Sequence, residues 1–340
     1  AQPNAGIPQN VDDRNIYMVS PEYIAEYARR FVKKGARIIG GCCGTTPDHI
    51  RAIRKSVRDS APAVMMPPRQ TECPEPEAVA EAVPSEAKSL LASKIYSKEL
   101  AKLVELVPPR GCDPGKILKS AAELSGAGVD AINIPDSPRA TSRMSSMALA
   151  LIIRRETGME TLLHYCCRDR NILGMQSDLL GAEALGLRNI LIITGDPLKT
   201  HDYPDATAVF DIDSIGLTNV VHNLNHGLDI GGRSLDKPTS LFIGVGVNPQ
   251  AIDLEEELSR FYWKVDAGAE FAMTQPVFDT ENFFSFREKI KSMDIPLIAG
   301  IWPLASYRNA EFMNNELPGV SVPAGIMERM KNAPDGKAAA

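Results

Sequence analysis

Residues 160–196 read ETLLHYCCRDRNILGMQSDLLGAEALGLRNILIITGD, and this stretch decides the fold. Glu160–Tyr165 and Asn189–Thr194 are short, mainly apolar runs, the composition of parallel strands covered on both faces. Between them, Ile172–Leu185 carries a helical pattern. Strand, helix, strand at this spacing is the repeating unit of a parallel α/β fold. Working outward, the same apolar runs recur at Val129–Ile134 and Leu103–Val107 on one side. On the other they recur at Ser240–Gly246, Glu270–Gln275 and Pro296–Ile301. Helical patterns lie between them at Gly115–Gly126, Asp253–Ala267 and Thr280–Ser292. Seven strands are one short of a (β/α)8 barrel. A doubly wound open sheet is the rival, but no Gly-x-Gly-x-x-Gly follows a strand. An eighth strand would stand after Lys331, where the sequence reads NAPDGKAAA. The expected fold is therefore a TIM barrel missing its last strand.

Ahead of the barrel the chain changes character twice. Over residues 1–60, Ser20 is placed to cap a helix that opens on Pro21, and Gly35 stops it. Ala36–Ile39 reads as a short buried strand, and Thr46-Pro47 starts a second helix that runs to Val57. Residues 61–93 are rich in Pro, Ala and Glu with no sustained period, which reads as a solvated linker. Cys73 falls there and receives no role. The barrel domain is expected over 94–340.

The chain has 340 residues and a formal net charge of -6, with 44% hydrophobic and 24% charged residues. The charge gives no reason to bind nucleic acid or acidic membranes. No apolar run is long enough to span a bilayer, and no export signal opens the sequence. Cys42-Cys43 and Cys166-Cys167 are adjacent pairs, unlike a secreted disulfide framework, so a reducing cytoplasm is expected. The first residue is Ala1, which suggests a segment of a longer product.

In such barrels the working residues lie at the C-terminal ends of strands. Those positions hold Glu105, Asn133, Asp136, His164, Thr194-Gly195-Asp196, Thr274-Gln275 and Trp302. Glu105 is the oddity, because a carboxylate among Val104, Leu106 and Val107 is costly to keep charged. Each of the others has a bland reading: Asp196 as a helix cap, His164 as a hydrogen-bonded core residue, Gln275 as a partner for the backbone. Their joint appearance at one end of successive strands favours a site.

The blocks ELVPPRG, HYCCRDRN, IITGDP, VDAGAEFAMTQPVFD and AGIWPL resemble those of methylenetetrahydrofolate reductases. The likeness is to the bacterial bifunctional kind, which carries a homocysteine methyltransferase domain ahead of the reductase. The resemblance implies FAD as cofactor, NAD(P)H as hydride donor and methylenetetrahydrofolate as substrate. It implies that Glu105 is the general acid, that Asp196 lies by flavin and pterin, and that Gln275 orients the pterin and the nicotinamide. It places His164, Thr194, Gly195, Glu257 and Lys264 around FAD, with Lys264 suited to a phosphate. Gly244–Asn248 stands where the family commonly has an aromatic and a histidine.

The block GGCCGTTPDHI, with PNAG at the start, resembles the zinc motif of homocysteine S-methyltransferases. The resemblance implies that Cys42 and Cys43 are two of three thiolates on Zn2+, with an open position for the homocysteine thiol. Residues 1–60 then form the C-terminal remnant of a second (β/α)8 barrel, its zinc site incomplete. His49, on the next helix, reads as structural. The leading expectation is an oxidoreductase of one-carbon metabolism, fused in its full form to a methyltransferase for methionine synthesis. The alternative is a methyltransferase with a non-catalytic folate- or flavin-binding barrel. Monomer and homo-oligomer both stay open.

Overall fold

The computed structural model describes residues 1–5, 9–11, 14–16, 19–58, 80–196, 203, 205–316 and 320–333. The chain divides into two compact units, 1–76 and 77–340. Cys73 lies outside the described residues.

In the first unit, β1 (Gln9–Val11) and β2 (Arg14–Ile16) form an antiparallel pair, followed by α1 (Pro21–Lys33) and α2 (Pro47–Val57). The Ser20 hydroxyl accepts from the Tyr23 N–H and Pro21 opens α1, as the sequence requires. Ile24 and Ala28 of α1 bury against Ile53 of α2 and Ala5. The buried strand expected at Ala36–Ile39 does not form as a regular element. The stretch from Ile38 to Cys43 instead runs beside residues 1–5. The Ala1 N-terminus donates to Ile38 O at 2.7 Å, Gly40 N to Ala1 O at 2.9 Å and Cys42 N to Pro3 O at 3.0 Å. Pro3 has no N–H to continue that ladder, and Ile38 is 82% exposed, so the segment is a one-sided, broken strand.

The second unit opens within the stretch read as linker. A 3-10 turn spans Ser85–Ala87, and α3 covers Leu90–Tyr96. Two contacts fix α3: the Ser89 hydroxyl accepts from Ala92 N, and the Glu160 carboxylate accepts from the N–H groups of Leu90 and Leu91 at 3.0 and 2.8 Å. The helix is too short for a visible period, which is why composition alone read it as linker.

The sheet then follows in strict chain order: β3 (Leu103–Glu105), β4 (Ala131–Ile134), β5 (Glu160–Cys166), β6 (Asn189–Ile193), β7 (Phe242–Val247), β8 (Phe271–Pro276) and β9 (Leu297–Gly300). Every neighbouring pair is parallel. Between them run α4 (Gly115–Gly126), α5 (Ser146–Thr157), α6 (Ile172–Ala184), α7 (Ser214–Asn225), α8 (Leu254–Asp266) and α9 (Thr280–Lys289), with α10 (Tyr307–Glu316) and α11 (Ala324–Asn332) after β9. β3 is shorter than the expected Leu103–Val107, although Leu106 N still donates to Asn133 O of β4 at 2.9 Å.

Strand alternation sorts the side chains into two layers. The outer residues Ile132 and Ile134 pack under α4 and α5, Leu163, Tyr165, Ile190, Ile192 and Ile243 under α6 and α7, and Val245 and Ala272 under α8 and α9. The inner residues Leu103, Leu162, Leu191, Phe242, Phe271 and Ile298 meet one another and Ala92 and Ile95 of α3. The sheet is therefore curled, with α3 packed into its N-terminal end. β3 and β9 are not paired with each other, and no eighth strand joins the sheet among the described residues. The fold is an α/β, TIM-barrel-type sheet of seven parallel strands, lacking one strand of closure. No helix among the described residues is long and apolar enough to cross a membrane.

Candidate active site

Above the apolar inner layer, the next inward positions turn polar. Glu105 on β3 stands in register with Asn133 on β4, and His164 projects from the same face of β5. The Asn133 Nδ2 reaches Met273 Sδ of β8 at 3.8 Å, across the curl of the sheet. Asn133 Oδ1 and His164 Nε2 are buried and have no hydrogen-bond partner among the described residues. A buried polar atom left unpaired is destabilising, so two of them in one layer mark a place shaped for something other than this chain.

Burial acts on both titratable groups here. It pushes the Glu105 carboxyl above its usual range and takes the His164 imidazole down to about 4. Glu105 is partly open to solvent, yet the surrounding atoms still raise its carboxyl pKa. At neutral pH this pair is a carboxyl that holds a proton more tightly than usual and an uncharged imidazole.

The glycines open the opposite wall. A Cβ on Gly244 would enter the Phe271 ring, whereas one on Gly246 would meet nothing within 4 Å. Gly244–Val247 belong to β7, and Asn248 is the first residue beyond the strand. Lys264 of α8 is buried and donates to Gly246 O at 2.7 Å, and burial lowers its ammonium pKa. Glu257 accepts from Asn248 N at 2.9 Å. Both side chains thus hold the C-terminal end of β7 from the helix side.

The β6 end carries the remaining group. Thr194 Oγ1 bonds to Ser214 Oγ at 3.1 Å and accepts from Ser214 N, which ties it to the start of α7. Gly195 takes a φ of 100°, open to glycine, and Asp196 Oδ2 accepts from Arg139 N at 3.1 Å. Gln275 lies exposed in a bulge, where the β8–β9 register shifts between Met273 and Pro276. The candidate site residues therefore lie at the C-terminal ends of the strands: Glu105 on β3 and His164 on β5 face inward, Thr194 to Asp196 follow β6, Glu257 and Lys264 hold the end of β7 from α8, and Gln275 stands at the end of β8.

Sequence reasoning missed two features of this end. Arg168, just past β5, is about 2% exposed and grips Asp169 through Nε and Nη2 at 2.7 Å each. The segment after β4 places Ser137, Arg139 and Ala140 in the left-handed region, at φ of 44°, 56° and 49°. The one cue was the charge-dense RDR directly after a strand.

In the first unit, the Cys42 and Cys43 sulfurs lie 3.8 Å apart and exposed, and Asn4 Oδ1 accepts from Cys43 N at 3.2 Å. Two thiolates on one tetrahedral zinc, each at about 2.3 Å, would stand roughly that far apart. No set of three His, Cys, Asp or Glu among the described residues could hold a metal. These residues alone therefore do not make a zinc site. His49 bonds Thr46 Oγ1 at 2.8 Å and Val19 O at 2.8 Å, a structural role.

A family model described as homocysteine S-methyltransferase matches residues 1–57. The chain is 25% identical over 192 residues to methylenetetrahydrofolate reductase 1 of Schizosaccharomyces pombe, covering 56% of this chain and 30% of that one. It is 26% identical over 210 residues to the 5,10-methylenetetrahydrofolate reductase of Salmonella typhimurium, covering 61% and 66%. The counterpart from Pectobacterium carotovorum is 24% identical over 210 residues, covering 61% and 65%. The chain thus spans under a third of the fungal relative's length and just under two thirds of the bacterial ones. A family model described as methylenetetrahydrofolate reductase matches residues 90–340, and the chain belongs to that family.

Proposed function

We propose that the barrel reduces 5,10-methylenetetrahydrofolate to 5-methyltetrahydrofolate, with FAD as cofactor and NAD(P)H as hydride donor. The observation that carries this reading is the polar inner layer: a burial-raised Glu105 beside two unpartnered buried atoms on the neighbouring strands. The open face at Gly246 and the unpaired Asn133 Oδ1 and His164 Nε2 fit a planar, heteroatom-rich ring system. Bound there, the flavin would supply the hydride chemistry.

The chain's own work is positioning and proton supply. The atoms packed around Glu105 raise its carboxyl pKa, which favours the protonated form that would deliver a proton as the methylene bridge opens. His164 and Asn133 offer hydrogen bonds to the ring edges. Asp196 and Gln275 orient the pterin. Thr194 and Gly195 shape the β6 turn beside the flavin, and Lys264 and Glu257 line its β7 side.

The test is flavin absorbance and NADH-driven reduction of methylenetetrahydrofolate by the purified full-length protein. Glu105→Gln should lower folate reduction by roughly 10²–10⁴-fold while leaving flavin bound. A colourless protein, or unchanged turnover in Glu105→Gln, would overturn the reading. We further propose that residues 1–57 belong to a homocysteine methyltransferase, on the strength of the thiol pair and its Asn4 anchor. With two ligands in hand, no zinc step is derived.

A further inference from the structure

Arg168 has no part in the chemistry above, yet its contacts all lie at the C-terminal end of the barrel. Beyond its double bond to Asp169, Nη1 donates to Asp196 O at 3.3 Å and Nη2 to Ser137 O at 3.4 Å. Its own N–H donates to Cys166 Sγ at 3.3 Å, and its carbonyl accepts from Val209 N at 2.8 Å. One guanidinium therefore ties together the segments that follow β4, β5 and β6, and its backbone adds the chain that enters α7.

Those ties converge on Asp196. Gly195 sits directly on the arginine: a Cβ there would lie 3.1 Å from Arg168 Cβ and 2.2 Å from Cys166 Sγ. Arg168 thus holds Asp196 by its backbone carbonyl. It also holds the strained β4 segment through Ser137 O, and that segment supplies the Arg139 N–H that meets the Asp196 carboxylate at 3.1 Å. Left-handed backbone at three non-glycine residues persists only where surroundings over-determine it, and Arg168 is such a surrounding.

Stability alone does not explain the residue. A buried ion pair is a weak way to stabilise a fold, and apolar side chains of similar volume often do as well. What the guanidinium offers is a planar fork whose donors diverge in fixed directions, which lysine lacks. We infer that Arg168 is a positioning residue that sets the Asp196 carboxylate for the reaction proposed above, on which the inference rests.

A double-mutant cycle on the flavin-loaded full chain tests it, with Arg168→Lys, Asp196→Asn and the pair. Arg168→Lys keeps a charge beside Asp169, whose side chain is 36% exposed, so no carboxylate is stranded and the variant should fold. Its kcat for folate reduction should fall by up to about a hundredfold, with KM moving less. The double variant should be no slower than the worse single variant by more than about twofold, because both substitutions break one arrangement. Amide exchange at Arg139 should quicken in Arg168→Lys by at least about tenfold, a readout independent of turnover. Additive rate losses, or an unchanged Arg139 amide, would overturn the positioning role while wild-type turnover stands. A wild-type chain without flavin-dependent turnover would instead sink the reaction, and the role of Arg168 with it.

Discussion

The dipeptide Cys-Cys occurs twice in this chain, and the two copies live in opposite surroundings. Cys42-Cys43 lies in a glycine-flanked turn with both thiols exposed. Cys166-Cys167 closes β5 with both residues fully buried. There, strand alternation sends Cys166 inward to Thr194 O at 3.5 Å and Cys167 outward into the core with Leu163, Met175 and Leu217. Burial pushes the second pair up to about 11 and about 12. The same two residues thus make an open, solvent-facing edge in one unit and inert packing in the other. What decides is the cover on each side of the backbone, which the dipeptide itself does not encode.

Thiol chemistry gives the largest contrast. At neutral pH the thiolate fraction of Cys166 and Cys167 should be more than about a hundredfold below that of a free cysteine near 8.5, and burial slows attack further. Ellman's reagent with mass mapping should therefore modify Cys42, Cys43 and Cys112 of the native chain at once and leave Cys166 and Cys167 untouched. Labelling of either buried thiol as fast as Cys112 would erase the distinction.

How far each surrounding was legible follows from the same contrast. The seven strands could be read because apolar runs covered on both faces need no partner to be recognised. The polar layer could be read in part: Glu105 breaks such a run, and so does His164. α5 and α7 were harder. Buried Ser214, Thr218 and Asn225 blur the apolar stripe of α7, and in α5 the unbroken apolar run Met147–Ile153 hides any helical period. Arg168 was legible only as part of a charge-dense RDR after a strand, since its two loop partners stand 28 and 31 residues away and nothing local marks an arginine for burial. Ala36–Ile39 was over-read for the opposite reason: its run is apolar, but Pro3 breaks the ladder beside it.

Glycine substitutions sharpen the contrast at the next level of effect. Gly44 follows the open pair at φ 74°, and Gly195 packs on the buried pair at φ 100°. Ala at Gly44 should cost about 1–2 kcal/mol, the penalty for left-handed backbone with a Cβ. Ala at Gly195 carries that penalty and also drives a methyl into Cys166 Sγ, which adds about 1–3 kcal/mol of overpacking. Denaturant midpoints of the two variants should differ accordingly. Equal losses would mean that the β6 turn relaxes freely, and the tight seat on Cys166 and Arg168 would not constrain it.

Two histidines buried among the described residues give the last contrast, and here the sign can be worked out. His49 bonds at both ring nitrogens, whereas His164 Nε2 meets no partner among the described residues and burial takes the ring down to about 4. Unfolded, His164 binds a proton near the ordinary 6.5; folded, it does not until about 4. Between those values the unfolded state holds more protons, so stability falls as pH drops. The contribution is fully present above about pH 6.5 and lost progressively toward pH 4, on the order of 3 kcal/mol in total. In His164→Gln that slope should vanish from the urea-unfolding free energies measured between pH 7 and 4. If the slope persists unchanged, His164 takes up its proton in the folded barrel, and the uncharged, unpaired ring that the proposed site uses is not there.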